Sequence, residues 1–86
     1  MKYTQNTLDK LEEVLSELHY VVRYERGTFQ SGYCILEQRK VVVLNKFLQL
    51  EGRINTLADI IPKLVAEPET LSPDARKTLD MIHAKA

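Results

Sequence analysis

The sequence predicts an α+β fold of order α-β-β-β-α-α, with a three-stranded antiparallel sheet packed by helices. Three observations carry that prediction. Leucine and isoleucine recur at helical spacing in the N-terminal stretch and again in the C-terminal half. Between them lie three short runs rich in β-branched and aromatic residues, with no 3.6-residue period. The connections between those runs are short, and short connections favour antiparallel hairpins because a parallel pair needs a long crossover.

The first helix is expected from about Asn6 to Leu18. Leu8, Leu11, Leu15 and Leu18 form its apolar stripe with Val14 beside them, and Glu12, Glu13 and Glu17 fill the other face. Asn6 or Thr7 is the expected cap, and Asp9 falls where the positive end of the helix dipole favours a carboxylate. His19 to Glu25 reads as the first strand. The stretch from Arg26 to Gly32, with two glycines around Phe29, reads as a loop. Tyr33 to Glu37 is the second strand, Gln38-Arg39-Lys40 turns the chain, and Lys40 to Asn45 is the third strand. Val41-Val42-Val43-Leu44 has no polar alternation, which is the mark of a strand covered on both faces. A second helix begins near Gln49 on the stripe Leu50, Ile54, Leu57, Ile61 and Leu64. Pro62 lacks an N–H and disfavours the α conformation at Ile61, so this helix is expected to stop or kink there. Glu67-Pro68-Glu69 reads as a linker. Ser72-Pro73-Asp74 then supplies a serine cap, a proline at the first helical position and an acid in the first turn. Leu71, Ala75, Leu79 and Ile82 are the buried face of that third helix. Leu11, Leu15, Leu44, Leu57 and Leu79 are expected to meet in one core.

Composition sets the outer bounds. With 86 residues, one domain spanning 1–86 is expected. Apolar residues at 44% and charged residues at 28% are ordinary for a globular chain. Twelve basic and twelve acidic side chains cancel, so there is no global attraction to nucleic acid or anionic membrane, and little self-repulsion opposes association. The middle segment, His19 to Arg53, is the most positive, with six basic against three acidic residues. The longest aliphatic run has four residues, far short of the ~20 that span a bilayer. Cys34 is the only cysteine, which excludes an intramolecular disulfide and a cysteine-rich zinc site. A polar N-terminus and the absence of a disulfide framework point to a reducing, cytoplasmic compartment.

Recognisable chemistry is sparse. Gly27, Gly32 and Gly52 fit neither phosphate-binding glycine pattern, and no G-x-S-x-G elbow occurs. His19 and His83 are far apart in sequence, so no cofactor and no metal site is expected. A His19/Cys34 pair, one residue on each of two successive strands, is the enzyme alternative; the ordinary reading is a small buried thiol and a histidine ending a helix. Asp59 reads as the solvent-reaching edge of its stripe, and Glu51 and Arg53 as a solvated helix face. The tyrosines are more informative. Tyr20, Arg23, Tyr24, Tyr33 and Arg39 combine the two residue types enriched at interface hot spots. They are the expected partner-binding set, on an open sheet face or edge, for a homodimer or another protein. A weak nucleic-acid binder using the basic middle segment is the third possibility.

The runs Tyr24-Glu25-Arg26, Ser31-Gly32-Tyr33-Cys34, Val41 to Lys46 and Arg53 to Ala58 resemble small conserved bacterial proteins of unknown function. More distantly, Arg53-Ile54-Asn55-Thr56-Leu57-Ala58-Asp59-Ile60-Ile61-Pro62-Lys63 is similar to the T-L-A-H-E-x-x-H helix of small zinc peptidases of the ImmA/IrrE type, where a strand ending in Asn precedes a helix that begins with arginine. Asp59 stands in place of the first zinc histidine, Ile60 in place of the catalytic glutamate and Lys63 in place of the second histidine. The resemblance therefore implies a non-catalytic version, and the expected function is a non-enzymatic protein–protein interaction domain that self-associates.

Overall fold

The computed structural model describes residues 1–26 and 33–85, so the expected glycine-bearing loop from Arg26 to Gly32 lies almost wholly outside the described residues. Helix α1 runs Gln5–Glu17 and is capped by Thr4, whose hydroxyl accepts the Thr7 N–H at 3.2 Å. The cap thus falls earlier than Asn6 or Thr7, and Asp9 lies beyond the first turn. At the other end His19 takes a left-handed conformation (φ 66°). Its N–H bonds the Ser16 carbonyl at 2.9 Å, and the Tyr20 N–H reaches back to Leu15 at 2.9 Å. This paired closure satisfies carbonyls that the helix end would otherwise leave open, usually with glycine at the left-handed position. It turns the chain sharply, so strand β1 begins at Val21, later than the expected His19, and ends at Glu25 as expected.

Strand β2 is Tyr33–Leu36. A single turn of 3-10 helix, Glu37–Arg39, and a left-handed Lys40 (φ 55°) then lead into β3, Val41–Asn45. The sheet order is β1-β3-β2. β2 and β3 form the expected antiparallel hairpin, with Tyr33 opposite Leu44 and Ile35 opposite Val42. β1 lies along the other edge of β3 and is parallel to it, Val21 opposite Val41 through Glu25 opposite Asn45. The sheet is mixed, which corrects the all-antiparallel expectation. The physical reason is the apolar run of β3. An antiparallel meander would place β2 in the middle; with β3 there instead, its apolar side chains are flanked on each face by those of two neighbouring strands. Val42, Val43 and Leu44 are buried, while β1 and β2 keep exposed positions. Residues 26–40 are long enough for the crossover a parallel pair needs.

Helix α2 (Leu50–Leu64) continues past Pro62 rather than stopping at Ile61. Proline's missing N–H costs one bond near the helix end, while buried Ile54, Leu57, Ile60 and Ile61 hold the helix in place. After a short 3-10 turn at Pro68–Thr70, helix α3 (Pro73–Lys85) starts as the sequence predicts. The Ser72 hydroxyl accepts the Ala75 N–H at 3.1 Å. The same serine is held by α1: its N–H and hydroxyl both donate to the Glu17 carboxylate, at 2.8 and 2.6 Å.

α1 is the central helix, touching α2, α3 and β1. Leu11, Leu15, Leu44, Leu57 and Leu79 share one buried cluster with Val42, Ile54, Leu71, Ala75 and Ile82. Side chains alternate across a strand. Val42 and Leu44, with Val22, Tyr24, Tyr33 and Ile35 beside them, therefore form the face that meets the helices. Val21, Arg23, Cys34, Leu36, Val41 and Val43 form the opposite face, and none of them belongs to the helix-packed core.

Candidate functional site

The five residues expected to bind a partner are spread over both faces of the sheet. Tyr20, Tyr24 and Tyr33 are half-buried on the helix-facing side. Tyr20 has the Lys40 ammonium 5.0 Å from its ring centre. Arg23 is exposed on the opposite face, where its Nε is 3.0 Å from the Glu25 carboxylate. Arg39 is exposed on the 3-10 turn.

Tyr24 is the hub of a polar network that ties three elements together. Its hydroxyl donates to the Glu12 carboxylate on α1. The Arg53 guanidinium lies 4.6 Å from its ring centre, a cation–π distance. Arg53 also donates to two carbonyls of the β3–α2 connection, Leu48 at 2.9 Å and Lys46 at 3.0 Å. Burial, followed by the hydrogen bond to Glu12, pushes the Tyr24 phenol well above its ordinary value of 10.0. The network holds the start of α2 against the end of the sheet. Arg53 is thus half-buried and bonded rather than part of a solvated face.

The residues of the enzyme alternative are not on neighbouring strands. His19 precedes β1 and Cys34 is on β2, and β3 runs between those strands. Two strand spacings, roughly 9–10 Å, separate them. Asp59 is exposed, as is Lys63, and Ile60 is buried in the core. Among the described residues no group of three or more His, Cys, Asp or Glu side chains is placed to hold a metal ion. None of their helices is long and apolar enough to cross a membrane.

Two surface features were not singled out by the sequence. The first is a row across the second sheet face. Val21, Val41 and Leu36 are directly opposite one another on the three strands. Val21 is 56% exposed and Leu36 42%. The absence of polar alternation in β3 led to the expectation of cover on both faces, whereas this second face lies outside the helix-packed core and leaves Val21 and Leu36 exposed. The second is Phe47, 64% exposed just after β3. Arg26 and Lys46 place their cationic groups 5.6 and 5.4 Å from its ring centre. No protein-family model matches the chain, and no curated protein or solved structure does so.

Proposed function

We propose that this chain is a non-enzymatic protein–protein interaction domain that self-associates through the sheet face turned away from its helices. The supporting observation is the Val21–Val41–Leu36 row. Single exposed apolar residues are ordinary, but apolar residues aligned across three adjacent strands make a contiguous patch, and such patches mark contact sites. Arg23 and Glu25 sit on the same face and form its polar rim. A net charge of zero leaves little repulsion between copies. Sedimentation at micromolar concentration is expected to give twice the 9.9 kDa chain mass. Val21→Glu combined with Leu36→Glu is expected to return the single-chain mass without loss of fold. A strictly single-chain mass in the wild type over a wide concentration range would contradict self-association.

A second reading, single-stranded nucleic acid, is favoured by one feature, Phe47 with its two flanking cations. An exposed ring beside Arg and Lys is the stacking arrangement used by sequence-tolerant binders. It requires an oligonucleotide affinity that falls steeply with salt and is lost in Phe47→Ala.

A further inference from the structure

β1 is an edge strand, and its hydrogen-bonding directions can be assigned residue by residue. The Val21 N–H donates to the Lys40 carbonyl at 2.8 Å, and the Glu25 carbonyl accepts the Lys46 N–H at 3.0 Å. In a parallel ladder alternate residues point both backbone groups to the same side. Val21, Arg23 and Glu25 therefore bond inward to β3, and Val22 and Tyr24 direct their N–H and C=O groups to the outer edge. Among the described residues no strand pairs with β1 on that side. Exposed edges of this kind are templates for another strand.

A cleft of about 540 Å³ opens at the start of this edge, between β1 and α1. Its floor includes Tyr20, Val21 and Val22, and its wall carries Asp9, Glu12 and Glu13. None of the residues lining it is basic. A strand added here would alternate its side chains. One set would point toward α1 and meet the three carboxylates. The other would lie on the second sheet face, beside Val21. The like charges on α1 also disfavour a second copy pairing edge to edge, since two acidic walls would be brought together.

We propose that the outer edge of β1 takes an extended segment of a partner protein, with alternating basic and apolar residues, as a fourth strand of the sheet. Main-chain bonds to Val22 and Tyr24 supply the register, and the carboxylates of α1 select the basic side chains. This edge adjoins the apolar row proposed for self-association at Val21 but engages the backbone of Val22 and Tyr24, which the row does not use, so a failure of one proposal is read separately from a failure of the other.

Amide hydrogen exchange in the full chain tests the proposal, with the synthetic peptide Lys-Val-Lys-Val-Lys-Val as probe. In dilute protein the Val22 and Tyr24 amides are expected to exchange at least about tenfold faster than those of Arg23 and Glu25, because local exchange follows backbone pairing. Added peptide is expected to slow Val22 and Tyr24 by at least about tenfold, and to bind about tenfold more weakly in high salt. Glu13→Lys, at an exposed position, is expected to weaken the peptide by at least about tenfold while the exchange pattern of the free protein persists. Slow exchange at Val22 and Tyr24 in dilute protein, equal binding of Glu-Val-Glu-Val-Glu-Val, or peptide binding that leaves these two amides unchanged would each overturn it.

Discussion

The two faces of β3 carry the same residue type to opposite ends. On one face Val42 and Leu44 are fully buried under the helices and belong to the single apolar cluster that defines the core. On the other, Val41 and Val43 meet no part of that cluster, and their neighbours Val21 and Leu36 are substantially exposed. Hydrophobicity alone does not separate the two sets. Register does, because it sets Val42 and Leu44 beside Val22, Tyr24, Tyr33 and Ile35 on the helix-packed face, and Val41 beside Val21 and Leu36 on the other. One face holds the fold together, and the other is the face proposed for self-association.

Substitution on the helix face has the largest expected effect. Leu44→Ala removes a fully buried side chain and is expected to cost about 2–5 kcal/mol in a denaturant titration. Val21→Ala on the other face is expected to stay within about 0.5 kcal/mol at concentrations where the chain is dissociated. Similar costs at the two positions would abolish the distinction between the faces.

The polar network at the edge of the core comes next. Arg53→Ala loses two hydrogen bonds from a cation and its place over Tyr24, and about 1–3 kcal/mol is the expected loss. Tyr24 also gives a spectroscopic readout. Its phenol is raised, so the folded state resists ionisation that the unfolded chain accepts near pH 10. The sign follows from linkage: stability is intact below that pH and declines as pH rises further. An absorbance titration of the four tyrosines is expected to show one ionising late, and Tyr24→Phe to remove that phase.

Glu17 gives the opposite sign on the acid side. The Ser72 hydroxyl, and after it the Ser72 N–H, hold its carboxyl below the ordinary 4.5. Its contribution is complete above the unfolded value and is lost as pH falls through the folded one. Glu17→Gln is expected to flatten that part of the acid limb, with a small effect because the pair is exposed. The smallest expected change is a gain. His19→Gly relieves a left-handed residue at the end of α1 and is expected to stabilise by up to about 1 kcal/mol, after the entropy cost of glycine.

The helices were legible because their signals are local. Ser72-Pro73-Asp74 announced α3, and the leucine stripe of α1 identified its buried side. Strand order was not, since it turns on competition between strands for the middle of the sheet. The rule that short connections make hairpins held for β2 and β3 and failed for β1. The uninterrupted apolar run of β3 hinted at the middle position, where neighbouring strands flank its side chains on each face and Val43 is buried although it lies outside the helix-packed core. Arg53 was misread for a related reason. Its place four residues before Leu57 and eight before Ile61 puts it at the margin of the buried stripe. Its bonds to Lys46 and Leu48 depend on how the connection folds back, which periodicity does not encode. The tyrosines were expected on an open sheet face or edge, and sequence could not say that Tyr20, Tyr24 and Tyr33 lie on the face that meets the helices.

The concentration dependence of the melting temperature tests the division of labour between the faces most directly, because association that favours the folded chain raises Tm with protein concentration. The expected result is a rising Tm in the wild type, a flat one in the Val21→Glu, Leu36→Glu variant, and agreement between the two at the dilute limit. A flat wild-type profile, or a variant that melts lower at every concentration, would contradict it.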